Sequence, residues 1–263
     1  MIGVFDSGLG GLSVLAAVAR ALPRADLLYF ADTAHLPYGN KTDPFICTRV
    51  AAIGRHLAER GCDTLLVACN TATAAAVSTL RSQHPELAVV GVEPGVKPAA
   101  ASSRSGRIAV LATESTARSE RLAQLIRSHA GDVEVLVEAC PGWATRVESL
   151  HAIDADHEFA AEVAARVMPL LAAGADRLVL GCTHYSFLRP LLEPLLGEDA
   201  ELVDVAEAVA RQLVRLSGAQ QSGSGRLQLA ASAAPERLQA ALPALGLAWL
   251  AQRLTGPAQA VAV

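Results

Sequence analysis

The sequence predicts an α/β protein of two similar lobes, each a mostly parallel sheet flanked by helices. Three observations carry this prediction. Short apolar runs alternate with helix-length stretches along most of the chain, which is the pattern of parallel strands joined by crossover helices. The strand segments are near-continuous apolar runs, as expected where helices cover both faces of a sheet. Residues 65–72 (LLVACNTA) and 178–185 (LVLGCTHY) also echo each other: strand, small residue, cysteine, a pair of hydrogen-bonding residues, then a helix.

The elements follow in order. Residues 1–4 are an apolar strand, 5–11 (FDSGLGG) a glycine-rich turn, and 12–21 a helix. A strand at 27–30 leads into a long polar loop, 31–42, at its carboxyl end, where binding loops sit in such sheets. A helix over 45–60, a strand at 65–68, a helix over 73–81 and a strand at 89–92 come next. Small residues and serines at 98–107 mark a soft boundary. The alternation resumes with strand 108–111, helix 116–129, strand 133–137, helix 158–173, strand 178–180, a helix through 191, strand 202–203 and helix 206–216. Residues 217–225 read as a low-complexity surface loop. Strands at 226–230 and 247–250 flank a helix near 235–242, and the weakly patterned tail from 255 is expected to fray.

Length and composition set bounds. The 263 residues suit two lobes of roughly 100–150 residues. A net charge of -4 without a basic stripe argues against a nucleic-acid partner. No apolar run approaches the roughly 20 residues that span a bilayer, and no basic segment precedes the first strand. A cytoplasmic protein without a membrane partner is expected. The five cysteines, Cys47, Cys62, Cys69, Cys140 and Cys182, are odd in number and widely spaced. They suggest neither a disulfide framework nor a metal pair, so no metal is expected.

The chemistry-bearing residues stand at predicted strand ends. Cys69 and Cys182 each precede a helix start, where the helix dipole favours a thiolate. An isolated cysteine is more often core filling, and Cys47, Cys62 and Cys140 keep that reading; the matched contexts of the other two point to reactivity. The turn at 5–11 nearly forms a dinucleotide fingerprint with Gly8, Gly10 and Ser13, and Asp32 stands near a ribose-binding position. The third glycine is missing, however, and Asp6 would face the pyrophosphate. The alternative sets Asp6 beside a catalytic group, with Ser7 and nearby amides on a carboxylate. Tyr38 and Gly39 in the 37–39 turn offer a phenol and an exposed amide. Thr113, Thr116 and Ser119 are either carboxylate donors or helix caps. Glu148 is either catalytic or a helix-surface residue, and His184 stands two residues beyond Cys182, where it can hold or move a proton.

Five of these segments, DSGLGG (6–11), PYGNKT (37–42), ACNTAT (68–73), GVEPG (91–95) and GCTHY (181–185), together resemble the glutamate racemases of the aspartate/glutamate racemase superfamily. The resemblance implies two α/β lobes with the active site in the cleft between them. The first would take residues 1–97 and 208–263, and the second 98–207. It implies conversion of L-glutamate to D-glutamate for peptidoglycan, without pyridoxal phosphate, metal or other cofactor, and glutamate as the small-molecule partner; a homodimer is also expected. By motif, Cys69 and Cys182 are the acid/base pair, Asp6 assists Cys69, His184 assists Cys182, and Glu148 is a third supporting residue. Asp6, Ser7, Tyr38, Gly39, Asn70, Thr71, Thr183 and His184 match substrate-binding positions, with Thr113 and Thr116 beside them. Ala31, Leu122, Ser186 and Val205 depart from the residues usual in the family.

The rival readings are distinguishable. A pyridoxal enzyme needs a Schiff-base lysine, and the two lysines, Lys41 and Lys97, lack a cofactor context. Racemisation of aspartate or another acid stays open within the superfamily. A non-catalytic module binding an acidic ligand would have no use for a thiol pair attended by Asp6 and His184.

Overall fold

Two parallel sheets, built from different parts of the chain, bring their strand ends together. The computed structural model describes residues 1–150, 156–216 and 223–263. In chain order these form β1 (Ile2–Asp6), α1 (Leu12–Ala21), β2 (Leu27–Ala31), α2 (Asp43–Glu59), β3 (Thr64–Val67), α3 (Asn70–Gln83), β4 (Ala88–Gly91), α4 (Val96–Ser102), β5 (Arg107–Ala112), α5 (Glu114–Ala117), α6 (Glu120–His129), β6 (Glu134–Ala139), α7 (Trp143–Glu148), α8 (His157–Ala172), β7 (Arg177–Leu180), α9 (Arg189–Leu196), β8 (Glu201–Val203), α10 (Ala206–Leu216), β9 (Leu227–Ala231), α11 (Pro235–Ala244) and β10 (Gln259–Ala260).

The first sheet has the order β10-β9-β2-β1-β3-β4 and the second β6-β5-β7-β8. Their pairings are parallel, with Asp6 level with Ala31 at one strand end and Leu111 level with Leu180 at another. The first sheet therefore draws on both chain ends, and the second on the middle. Apolar clusters cover both faces of each sheet, and each fully buried Leu, Ile or Phe contributes roughly 1.5–3 kcal/mol. At the expected lobe boundaries, α4 buries Val96 and Ala99 against the second sheet, while α10 buries Val209 and Leu213 against the first. Among the described residues, no helix is long and apolar enough to cross a membrane.

Several local readings are corrected. The expected helix over 116–129 is two helices, because the Ser119 hydroxyl accepts the Leu122 amide at 3.1 Å and caps a new start. The soft boundary at 98–107 holds part of α4, and α7, absent from the expected strand–helix order, is a short helix that carries Glu148 at its end. The helix after Cys182 begins as a 3-10 turn, Thr183–Leu188. The expected strand at 247–250 is another 3-10 turn, Ala248–Arg253; it plants Leu250 in the core and exposes Ala251 and Gln252. The tail does not fray: Gln259 and Ala260 pair with Ala230 and Ala231, and the Val263 carbonyl accepts from Arg49. Edge strand β6 leaves Glu134 and Val137 exposed, so it is not covered on both faces. Of the surface loop expected at 217–225, residues 217–222 lie outside the described residues.

Candidate active site

The carboxyl ends of β1, β3, β5 and β7 deliver Asp6, Cys69, Thr113 and Cys182 toward one region, as parallel α/β sheets place their ligands. Small residues allow the close approach. A Cβ on Gly181 would stand 2.7 Å from the Leu111 carbonyl oxygen of the neighbouring strand. A cavity of about 150 Å³ lies there, with Ser7, Tyr38, Gly39, Cys69, Asn70, Thr71, Thr113, Glu148, Cys182 and His184 on its wall. Asp6, Thr116 and Thr183 are buried beside these residues but do not line it.

The two thiols have different surroundings. Cys69 is the N-cap of α3, and its Sγ accepts the Ala72 amide at 3.5 Å and lies 3.8 Å from the Ser7 hydroxyl. The helix start thus offers the interaction expected for a thiolate. Burial and the neighbouring Asp6 carboxyl outweigh it and push the thiol up to about 12. Cys182 heads a 3-10 turn and receives no capping amide. Its Sγ lies 3.6 Å from Nδ1 of His184, whose Nε2 lies 2.6 Å from Glu148 Oε1. Burial disfavours the His184 imidazolium, but the hydrogen bonds and charges of Cys182 and Glu148 prevail and raise it well above the ordinary histidine range.

Asp6 works from behind the wall. Its Oδ1 accepts the Gly8 amide at 2.7 Å, and its Oδ2 accepts the Thr183 hydroxyl at 3.2 Å. Burial raises its carboxyl above the usual range, partly offset by His184 and the Gly8 amide. The Thr183 hydroxyl is thereby committed to Asp6. The Tyr38 phenol is committed too, donating to Asp32 at 2.6 Å, so Tyr38 offers its ring to the cavity. Asp32 also takes both Arg49 Nε and Nη2 at 2.9 Å and faces His35 Nδ1 at 3.0 Å. A carboxylate so engaged is spent, which removes the ribose-binding alternative.

Two features suit an amino-acid ligand. Asn70 is buried on the cavity wall, and neither its amide nitrogen nor its oxygen has a hydrogen-bond partner among the described residues; such a group is costly unless something else satisfies it. Thr71, Thr113 and Thr116 form a hydroxyl cluster across the two sheets, with Oγ1 separations of 3.0, 3.3 and 3.0 Å. Thr113 also caps α5, so capping and cavity lining coexist, whereas Ser119 is a cap away from the wall.

Several wall residues carry little signal in the sequence. Cys140, assigned to the core, has its thiol in that core and also lines the cavity; burial pushes it up to about 12. Leu36, Asn40, Glu114 and Thr145 also line it, and of these only Leu36 and Asn40, inside the predicted binding loop, carried any signal. Cys47 and Cys62 lie elsewhere, in the first sheet's helical face.

The family model described as Asp/Glu/Hydantoin racemase matches residues 2–213. The glutamate racemase of Stutzerimonas stutzeri is 45% identical over 247 residues, 93% of each chain. That of Pseudomonas paraeruginosa is 45% identical over 261 residues, 97% of this chain and 96% of its own. Among solved structures, Escherichia coli glutamate racemase in complex with L-glutamate and the activator UDP-MurNAc-Ala aligns with a TM-score of 0.86 at 29% identity. That alignment covers 100% of this chain and 98% of the other.

Proposed function

The chain belongs to the aspartate/glutamate/hydantoin racemase family, and we propose that it interconverts L- and D-glutamate with Cys69 and Cys182 as its acid/base pair. The observation that carries this reading is that Cys69 from the first sheet and Cys182 from the second, each at a strand's carboxyl end and at the head of a helical turn, reach the wall of a single small cavity. The α proton of an amino acid is far less acidic than a thiol, whose reference pKa is about 8.5. Its removal therefore needs fixed geometry and stabilisation of the carbanion. One base would have to cross from face to face; two need only stay in place, one as thiolate and the other as thiol.

The surroundings of the thiols supply a starting assignment. Cys69, pushed up to about 12, starts as the thiol, and the His184 ring, raised well above the ordinary histidine range, stands 3.6 Å from the Cys182 sulfur, where it can hold or move that thiol's proton. The two thiols exchange the roles of acid and base with the direction of the reaction. Asn70, Ser7 and Thr71 are the donors for the substrate carboxylate, where charge builds as the proton leaves. Asp6 holds Thr183 and the turn behind Cys69. The D-glutamate supplies cytoplasmic peptidoglycan synthesis.

The test is polarimetric. With purified protein and no added cofactor, the circular dichroism of L-glutamate is expected to decay to zero, and that of D-glutamate to the same endpoint. Aspartate should turn over far more slowly in kcat/KM. Equal turnover of aspartate would move the substrate assignment to the other acid; inert glutamate would overturn the proposal.

A further inference from the structure

The glycine-rich turn between β1 and α1 is held within the first sheet by Asp6 and Tyr29, but its contacts do not stop there. Gly8, Gly10 and Gly11 are not among the residues with left-handed backbone, so conformational freedom does not explain them. Clearance does. A Cβ on Gly8 would stand 2.0 Å from Glu148 Oε1, and one on Gly10 would stand 2.3 Å from His184 Nδ1. Through that gap the turn presents its amides: Leu9 N–H donates to Glu148 Oε1 at 2.6 Å, and Gly10 N–H approaches His184 Nε2 at 3.2 Å. Ser13 Oγ donates to the Thr183 carbonyl at 3.2 Å, and Asp6 accepts the Thr183 hydroxyl. The near-fingerprint of a phosphate loop thus has a different cause. Gly8 and Gly10 admit side chains of the opposite lobe, Gly11 clears Asp6 and Tyr29 of its own sheet, and the Leu9 amide is already engaged.

We propose that the 8–11 turn of the first lobe is a positioning device for the second lobe's Cys182 unit, clamping Glu148 and His184 so that the imidazole stays on the thiol. The Leu9 amide gives Glu148 a fixed acceptor role, and Glu148 then orients the ring through Nε2, leaving Nδ1 toward Cys182. Both side chains are almost wholly buried, so a methyl group on Gly10 cannot be avoided by swinging the ring into solvent. The inference rests on the reading of Cys182 and His184 as an acid/base unit. Other titratable groups facing that unit are Cys69, Asp6 and Tyr29 from the first sheet, and Cys140 and Tyr185 from the second lobe.

The test reads thiolate character directly and needs no turnover, so its failure is separable from failure of glutamate racemisation. Iodoacetamide alkylates a thiolate, forming S–C with loss of iodide, and peptide mass spectrometry reports each cysteine separately across pH. In Gly10→Ala, Cys182 alkylation at neutral pH should slow by about tenfold or more, its midpoint moving upward, while Cys69 keeps its rate. Unchanged Cys182 kinetics in a folded Gly10→Ala variant, or equal slowing of both thiols, would overturn the proposal. Should that variant not fold, amide hydrogen exchange in Glu148→Ala decides instead. Leu9 protection should drop by about tenfold or more, and unaltered protection would contradict the clamp.

Discussion

Cys69→Ala and Cys182→Ala are each expected to lose racemisation by about 10³-fold or more, the upper part of the range for removing a positioned acid or base. Both should melt near the wild-type temperature. A buried Cys→Ala change removes one sulfur, and both thiols face a cavity wall that already lacks neighbours on one side. Cys47→Ala and Cys62→Ala lie away from that wall and should keep most activity. Cys140→Ala is the informative control, since Cys140 shares the wall with Cys182 but donates its thiol proton to the Glu138 carbonyl at 3.6 Å. It should retain turnover with an altered KM. Steady-state kinetics in both directions with thermal melts checks the set, and full turnover in either of the first two variants would end the two-thiol account.

The second large effect belongs to the Cys182 supports. His184→Asn and Glu148→Gln should each lower kcat by about 10²–10⁴-fold. The pH dependence of stability has a defined sign. His184 is raised in the folded protein by its partners, against its burial, so folding takes up a proton there. Its contribution is fully present below the unfolded histidine value near 6.5 and is lost as pH rises through the raised folded value. The stability gap between wild type and His184→Asn should therefore be widest in mild acid and narrow in alkali. Denaturation midpoints across that window measure it; a gap that widens with rising pH would contradict the ion-pair assignment.

Much of this was legible because it is local. The echoed strand–cysteine segments placed Cys69 and Cys182 on two sheets, and the strand pattern needed nothing beyond apolar runs. What escaped depends on distant partners. Glu148 reads as a helix-surface residue until Leu9 and His184 close on it from far along the chain. Asp32 reads as a ligand-binding acid until Arg49 and Tyr38 occupy it. Residues 247–250 carry a strand-like apolar pair, yet Gly246 with φ of 73° turns the chain into a 3-10 path instead. The tail becomes a strand only because β9 offers it an edge. The helix start at Cys69 is legible as geometry, but burial, invisible in the local sequence, sets the direction of its titration.

The fate of the α proton tests the two-thiol account most directly. The thiol that delivers the new proton exchanges with solvent before substrate binds, whereas the thiolate that removes the old one holds it only during the carbanion's lifetime. The reaction is run from L-glutamate in deuterated water, stopped at low conversion, and resolved by chiral separation with mass spectrometry. The D-glutamate formed should carry deuterium at the α carbon, and the remaining L-glutamate almost none. Substantial early label in the recovered L-glutamate, or retention of the original proton in both enantiomers, would contradict the assignment of Cys69 and Cys182 to opposite faces of the substrate.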